Sequence, residues 1–266
     1  MKKLILIKLG GSVITDKSKP FTARKGVIRR LAKEIKTAKE KLGNNTSFLI
    51  GHGSGSFGHT IASKYQTQKG LINKESIKGL SLTADAAIDI DRIVVKQFIS
   101  VGLRAVAFSP MSFTFVKKVS LGPIVKCLEL SLVPLVYGDV IFDQSQGFTI
   151  YSAEKILGIL ARKLKKTYKI EKIIECGDTD GVYDSDGKTI PVISSKNFGE
   201  VKKWITGSKS TDVTGGMIHK VEESLRLAKE TKIPTILLNG NKSGNLYKSI
   251  LGESVNSTLI NSIYHD

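Results

Sequence analysis

The 266-residue chain has only two cysteines, Cys127 and Cys176, and neither sits in a CxxC pair or beside histidines at metal-ligand spacing. That excludes a disulfide framework and a cysteine zinc site, and it places the expected home in a reducing cytoplasm. Long hydrophobic runs are missing as well. The longest, such as LILI at 4–7 and ILL at 236–238, fall far short of the roughly twenty residues a membrane helix needs, so no membrane span is expected. The opening MKKLILIKLGG imitates a secretory leader. Lys8 interrupts its apolar run and no small-residue cleavage site follows, so a first strand is the reading. No Pro/Ser-rich linker or internal repeat divides the chain, and a single domain over 1–266 is expected.

Acidic residues are the minority charge, 24 against 41 basic, for a net +17. Such an excess suits nucleic acid, an anionic surface or an anionic small substrate. The lysines are dispersed, and the densest cluster, ARKLKK at 161–166, ends a helical pattern, where cations favour the helix dipole. No aromatic RNA-binding pattern, finger spacing or basic heptad accompanies them. A solvated basic surface and a small-molecule partner are therefore expected, with no nucleic acid.

What is present is an alternation. Apolar runs at 3–9, 47–51, 104–108, 133–138, 172–176 and 234–239 read as buried strands. Helical spacing links Val27, Ile28, Leu31, Ile35, Ala38 and Leu42 within 23–42, where Gly43 closes the segment as a C-cap would. It recurs in 153–165 and 216–229. Strands alternating with helices predict an α/β fold, an open αβα sandwich around a mostly parallel sheet. Ligands in such folds sit beyond the carboxyl ends of the strands. The segments there are rich in glycine and small polar residues: GGSVITDK after the first run, HGSGSFGH after the second, GDVIFDQSQG, GDTDGVYD and NGNKSG.

These glycine turns suggest phosphate, yet the common phosphate motifs are absent: no GxxxxGK[ST], no GxGxxG between strand and helix, no protein-kinase HRD or DFG. The acidic series Asp178, Asp180, Asp184 and Asp186 lacks the closing glutamate of an EF-hand. Lys8 precedes Gly10-Gly11-Ser12, Lys17 follows on the same loop, and Lys220 lies one turn beyond Gly215-Gly216, which would open a helix N-terminus. Together they would neutralise a transferring phosphoryl group, a reaction catalysed mainly by positioning and electrostatics. Singly, each reads as a surface charge. His59 is either a donor to a bound anion or a loop histidine tied to nearby backbone, and His52 reads as structural.

Together, KLGGSVITDK (8–17), HGSGSFGH (52–59), YGDV with GFTI (137–150), DTDGVYDSDGK (178–188) and VTGGMIHK (213–220) resemble the amino acid kinase superfamily and, within it, the isopentenyl phosphate kinase family. The motifs run in family order over nearly the whole chain. The resemblance implies transfer of the ATP γ-phosphate onto isopentenyl phosphate, ATP and Mg2+ as cofactors with no metal-ligating residue assigned, and a cytoplasmic homodimer. It implies an acceptor side over about 1–150 and a nucleotide side over about 151–266. Lys8 and Lys220 would hold ATP phosphates and the transferring group, Lys17 would stabilise the transition state, and His59 would bind and orient the acceptor phosphate. Ser54, Gly58 and Gly147 would join His59 on the acceptor side. Gly10, Gly11, Ser12, Gly55, Asp178, Tyr183 and Gly216 would serve the nucleotide. The acceptor's hydrocarbon tail would need an apolar wall, for which Ile77, Leu80, Ile88, Ile93 and Val94 are candidates, each also readable as helix core. The chain departs from the family pattern at Ser54, where glycine is usual, and at YSAEK (151–155), where Glu154 must supply any carboxylate that organises the lysines. CGDTDGVY replaces the usual GTDVDGVY and keeps its spacing. Other acceptors compatible with these motifs are a phosphonate such as fosfomycin, another small phosphate, or an acyl group, and His59 speaks against the last. A nucleotide-sensing protein without catalysis is the remaining reading.

Overall fold

The computed structural model describes residues 1–115, 118–207 and 214–262. Between β1 (Lys3–Leu9) and β2 (Thr46–His52) lie the single-turn α1 (Gly11–Ile14) and the long α2 (Lys25–Leu42). Helices α3 (Gly55–Tyr65) and α4 (Ser76–Ser100) lead to β3 (Ala105–Ala107). The short α5 (Pro110–Phe113), the paired β4 (Thr114–Phe115) and β5 (Lys118–Val119), and α6 (Gly122–Glu129) precede β6 (Val133–Tyr137). A hairpin of β7 (Asp139–Asp143) and β8 (Gly147–Tyr151) delivers the chain to α7 (Ala153–Leu164) and β9 (Lys169–Gly177). Then follow β10 (Val192–Ile193), α8 (Phe198–Gly207), α9 (Thr214–Thr231), β11 (Thr235–Asn239), α10 (Asn245–Leu251) and β12 (Ser257–Ile260).

The main sheet has eight strands in the order β10-β12-β11-β9-β1-β2-β6-β3. Its neighbours pair in parallel except β11 with β12. The expected α/β layering is present. Strands β1 after Lys3 and β2 throughout are buried, with apolar centres LILI and FLI, because helices cover both faces. One face packs Ile5, Ile7 and Leu9 against α2, α4 and α10 through Ile28, Leu31, Ile35, Ile90, Val94 and Ile250. The other packs Leu4 and Leu6 against α6, α7 and α9 through Leu128, Ile156, Leu160 and Leu227. Gly43 ends α2 with φ +67° while its N–H donates to the Lys39 carbonyl, the C-cap role read from the sequence. Both cysteines are buried and free. Among the described residues no helix is long and apolar enough to cross a membrane.

Candidate active site

Because the central strands are parallel, their carboxyl ends reach one edge of the sheet together. The turns there are zipped to one another: Gly10 N–H donates to the Cys176 carbonyl (2.8 Å), Gly53 N–H to Leu9 (3.0 Å) and Gly138 N–H to His52 (3.0 Å). Helix α1 starts directly after β1 and α3 directly after β2. Their first turns touch so closely that a Cβ on Gly11 would lie 2.6 Å from the Gly55 nitrogen, and one on Gly55 2.8 Å from the Gly11 carbonyl oxygen. Gly55 also has φ +52°, which favours glycine. Thr15 fastens the junction, donating to the Gly11 carbonyl (2.7 Å) and accepting from Ser56 N–H (3.0 Å).

This edge opens into a cleft of about 620 Å³. Its lining includes Lys8, Gly10, Gly11, Ser12, Lys17, Ser54, Gly55, His59, Glu154, Asp178, Gly216 and Lys220. The first turns of α1, α3, α7 and α9 all border it, so their unpaired N–H groups add partial positive charge to that of the lysines. Such a wall suits a polyphosphate.

Lys8 is only 5% exposed. Its ammonium donates to Glu154 Oε1 at 2.5 Å, at the start of α7, where Ser152 caps the helix by accepting from Lys155 N–H. Glu154 is thus the carboxylate paired with Lys8. Burial is the largest single influence and works against both charges, but their neighbours together outweigh it: Glu154 and Glu175 raise the Lys8 pKa, and Lys8 with Lys220 lowers the Glu154 carboxyl to about 2. Lys220 on α9 has the opposite fate. Burial, then repulsion by Lys8, lowers its pKa against the pull of Glu154, Glu175 and Asp178. Lys17 reaches Asp178 at 3.8 Å across the cleft mouth, and both are about half exposed. His59 is exposed on α3.

His52 does not enter the cleft. It is fully buried, with Nε2 3.1 Å from Asp91 Oδ1, Nδ1 3.2 Å from the Gly53 carbonyl and its ring stacked on Tyr137. It braces the start of the glycine turn against α4, in keeping with its structural reading.

Three further sequence candidates lie outside the cleft lining. Gly58 is buried in α3 against Ser54. Gly147 turns the β7–β8 hairpin with φ +79° and packs against Leu71. Tyr183 accepts from the Asp180 N–H through its hydroxyl (3.0 Å). Of the proposed apolar wall, Val94 is core, Ile93 is partly buried against it, and Ile77 and Ile88 are exposed. None of these lines the cleft, whose apolar lining comes instead from Ile150, Tyr151 and Met217. The acidic series folds as turns: Asp184 accepts the N–H groups of Asp186 and Lys188, and Asp180 pairs with Lys242. Val213 of the last motif lies outside the described residues. Sequence reasoning missed Glu175, which lies beside Lys8 in the β1–β9 register. An acid inside an apolar strand was its only signal.

The model of the amino acid kinase family matches residues 3–239. The chain is similar to the isopentenyl phosphate kinase of Methanocaldococcus jannaschii, 34% identical over 94% of this chain and 96% of that one. It is also similar to that of Methanothermobacter thermautotrophicus, 32% identical over 97% and 98%. A solved isopentenyl phosphate kinase superposes with a TM-score of 0.80 at 29% identity, covering 97% of this chain and 99% of the other.

Proposed function

The chain belongs to the amino acid kinase family, and from that premise we propose that it transfers the γ-phosphate of ATP to isopentenyl phosphate, giving isopentenyl diphosphate. The observation that carries this reading is the convergence of Lys8, Lys17, Lys220 and His59 on one cleft in a chain similar to these kinases over nearly its full length.

In this reading the nucleotide phosphates lie along Gly10, Gly11, Ser12, Gly55 and Gly216, near Asp178, with Lys8 and Lys220 on their charge. Glu154 fixes Lys8 so that its ammonium is placed before the phosphates arrive, which avoids reorganisation during transfer. Lys17, at the mouth, follows the charge as it moves. His59 donates to the acceptor phosphate and offsets repulsion between two anions. No general base is required, because the attacking phosphate oxygen is already ionised. Ser54 stands beside His59's helix as its N-cap residue, and Ile150 and Tyr151 offer apolar surface to the acceptor's tail. Among the described residues no group of three His, Cys, Asp or Glu is placed to hold a metal alone. Mg2+ would arrive on the nucleotide and would supply further neutralisation of the phosphates. The enzyme is expected to be a homodimer in the cytoplasm; light scattering tests the mass.

ADP release measured over a panel of phosphate, phosphonate and carboxylate acceptors tests the substrate. Isopentenyl phosphate is expected to give the highest kcat/KM, and an equal or better rate with another acceptor would reject it. In His59→Ala the kcat/KM is expected to fall about ten- to a hundredfold, as for a charged hydrogen bond of about 1.5–3 kcal/mol.

A further inference from the structure

Glu175 has no part in the scheme above, yet it lies within it. Parallel register places it directly beside Lys8, and both face α7 and α9. It is 7% exposed, and its Oε2 is buried with no hydrogen-bond donor from the protein. With Lys8, Lys220 and Asp178 it walls a small recess at the floor of the cleft. The charged groups around it are Lys8 from β1, Glu154 from α7, Lys220 from α9 and, past the strand end, Asp178. Strand β11 contributes apolar Leu237 and Leu238, and the neighbouring Cys176 packs into the opposite face.

The charge balance of this floor depends on one proton. Lys8 is already matched by Glu154. An ionised Glu175 would cancel Lys220 as well, leaving the phosphate floor without surplus positive charge. A protonated Glu175 leaves that surplus intact. Burial foremost, then the charge of Glu154, pushes its carboxyl up to about 7 against the pull of Lys8 and Lys220. Phosphate oxygens nearby would add further negative charge and favour the protonated form.

We propose that Glu175 links nucleotide binding to proton uptake: its carboxylate takes one proton from solvent as the phosphate chain settles between Lys8 and Lys220, and returns it when the phosphates leave. This rests on the reading of the cleft as a nucleotide site. By linkage, affinity for ATP then weakens by up to about tenfold per pH unit once free Glu175 ionises.

Calorimetry of ATP binding to the full chain, in buffers of different ionisation enthalpy, is the test. Near pH 8 the parent is expected to take up close to one proton more than Glu175→Gln, and near pH 6 the difference vanishes because free Glu175 already carries it. Titration of ATP itself cancels in this comparison. Infrared difference spectra of the parent with and without ATP should show a protonated-carboxyl band appearing near pH 8, a readout that needs no variant. Equal proton uptake in both proteins, parallel loss of affinity in Glu175→Gln at both pH values, or no such band would overturn the proposal. Absence of ATP binding in the parent would instead reject the nucleotide site itself, and the proposal with it.

Discussion

Replacing Glu154 by glutamine strands the Lys8 ammonium in a site that exposes only 6% of its side chain. Removing one member of a buried pair costs about 3–5 kcal/mol, because the remaining charge stays desolvated. The acid titration gives a similar size. The Glu154 carboxyl is held at about 2 rather than 4.5, so its stabilisation is complete above pH 4.5 and is lost as pH falls through the folded value. At 1.36 kcal/mol per pH unit that interval is worth roughly 3 kcal/mol. Glutamine keeps one acceptor oxygen and Glu175 can ionise in compensation, so the loss should sit at the lower end, about 3 kcal/mol. Urea unfolding followed by circular dichroism at neutral pH and between pH 2 and 5 measures both effects. In Glu154→Gln the acid-dependent loss over that range should shrink. The double variant Lys8→Met/Glu154→Leu should recover most of the stability while remaining inactive, since it buries no charge. A destabilisation below about 1 kcal/mol with an unchanged acid limb, or a double variant no more stable than the single one, would refute the buried pair as the organiser of the site.

A Cβ on Gly58 would collide with the Ser54 Oγ and stand 2.8 Å from the Ser54 Cβ, with nothing else within 4 Å beyond its chain neighbours and the backbone of its own helix. Gly58→Ala is therefore expected to cost about 1–3 kcal/mol, and adding Ser54→Gly should remove most of that cost; additive effects in the cycle would contradict the contact. His52→Ala leaves Asp91 buried without its partner and should lower unfolding stability by about 2–4 kcal/mol, a loss that a denaturant midpoint at constant slope would report. Lys220, lowered by burial and by Lys8, should deprotonate below 10.5 in the free enzyme, so kcat/KM for ATP is expected to decline on the alkaline side. Lys220→Arg stays charged and should flatten that decline; an identical profile would assign it to another group.

The strands were legible because segments such as LILIKL and SFLI are buried on both faces and have no polar face to confuse their period. Lys8 was legible from its place before a glycine turn, and the convergence of turns followed from parallel topology. Distances along the chain were harder. Glu175 faces Lys8 only through a register between strands more than a hundred residues apart, and an acid within KIIECG carries no mark of its neighbour. Gly147 and Tyr183 also serve a hairpin turn and a loop hydrogen bond, needs that local sequence does not separate from ligand contact. The apolar residues of 77–98 repeat at helical spacing, yet α4 turns Ile77 and Ile88 outward and keeps Val94 for the core.

The contact between Gly11 and Gly55 has a consequence for anyone reshaping this enzyme. Gly11 belongs to the turn after β1 and Gly55 to the turn after β2 that also carries Ser54 and leads to His59, and each backbone occupies the space where the other's side chain would be. A library that diversifies either turn alone would be purged by collision with its partner, whatever it gained in substrate choice. New acceptor preferences would have to be sought in Ile150 or Tyr151, which line the cleft from β8, away from that seam.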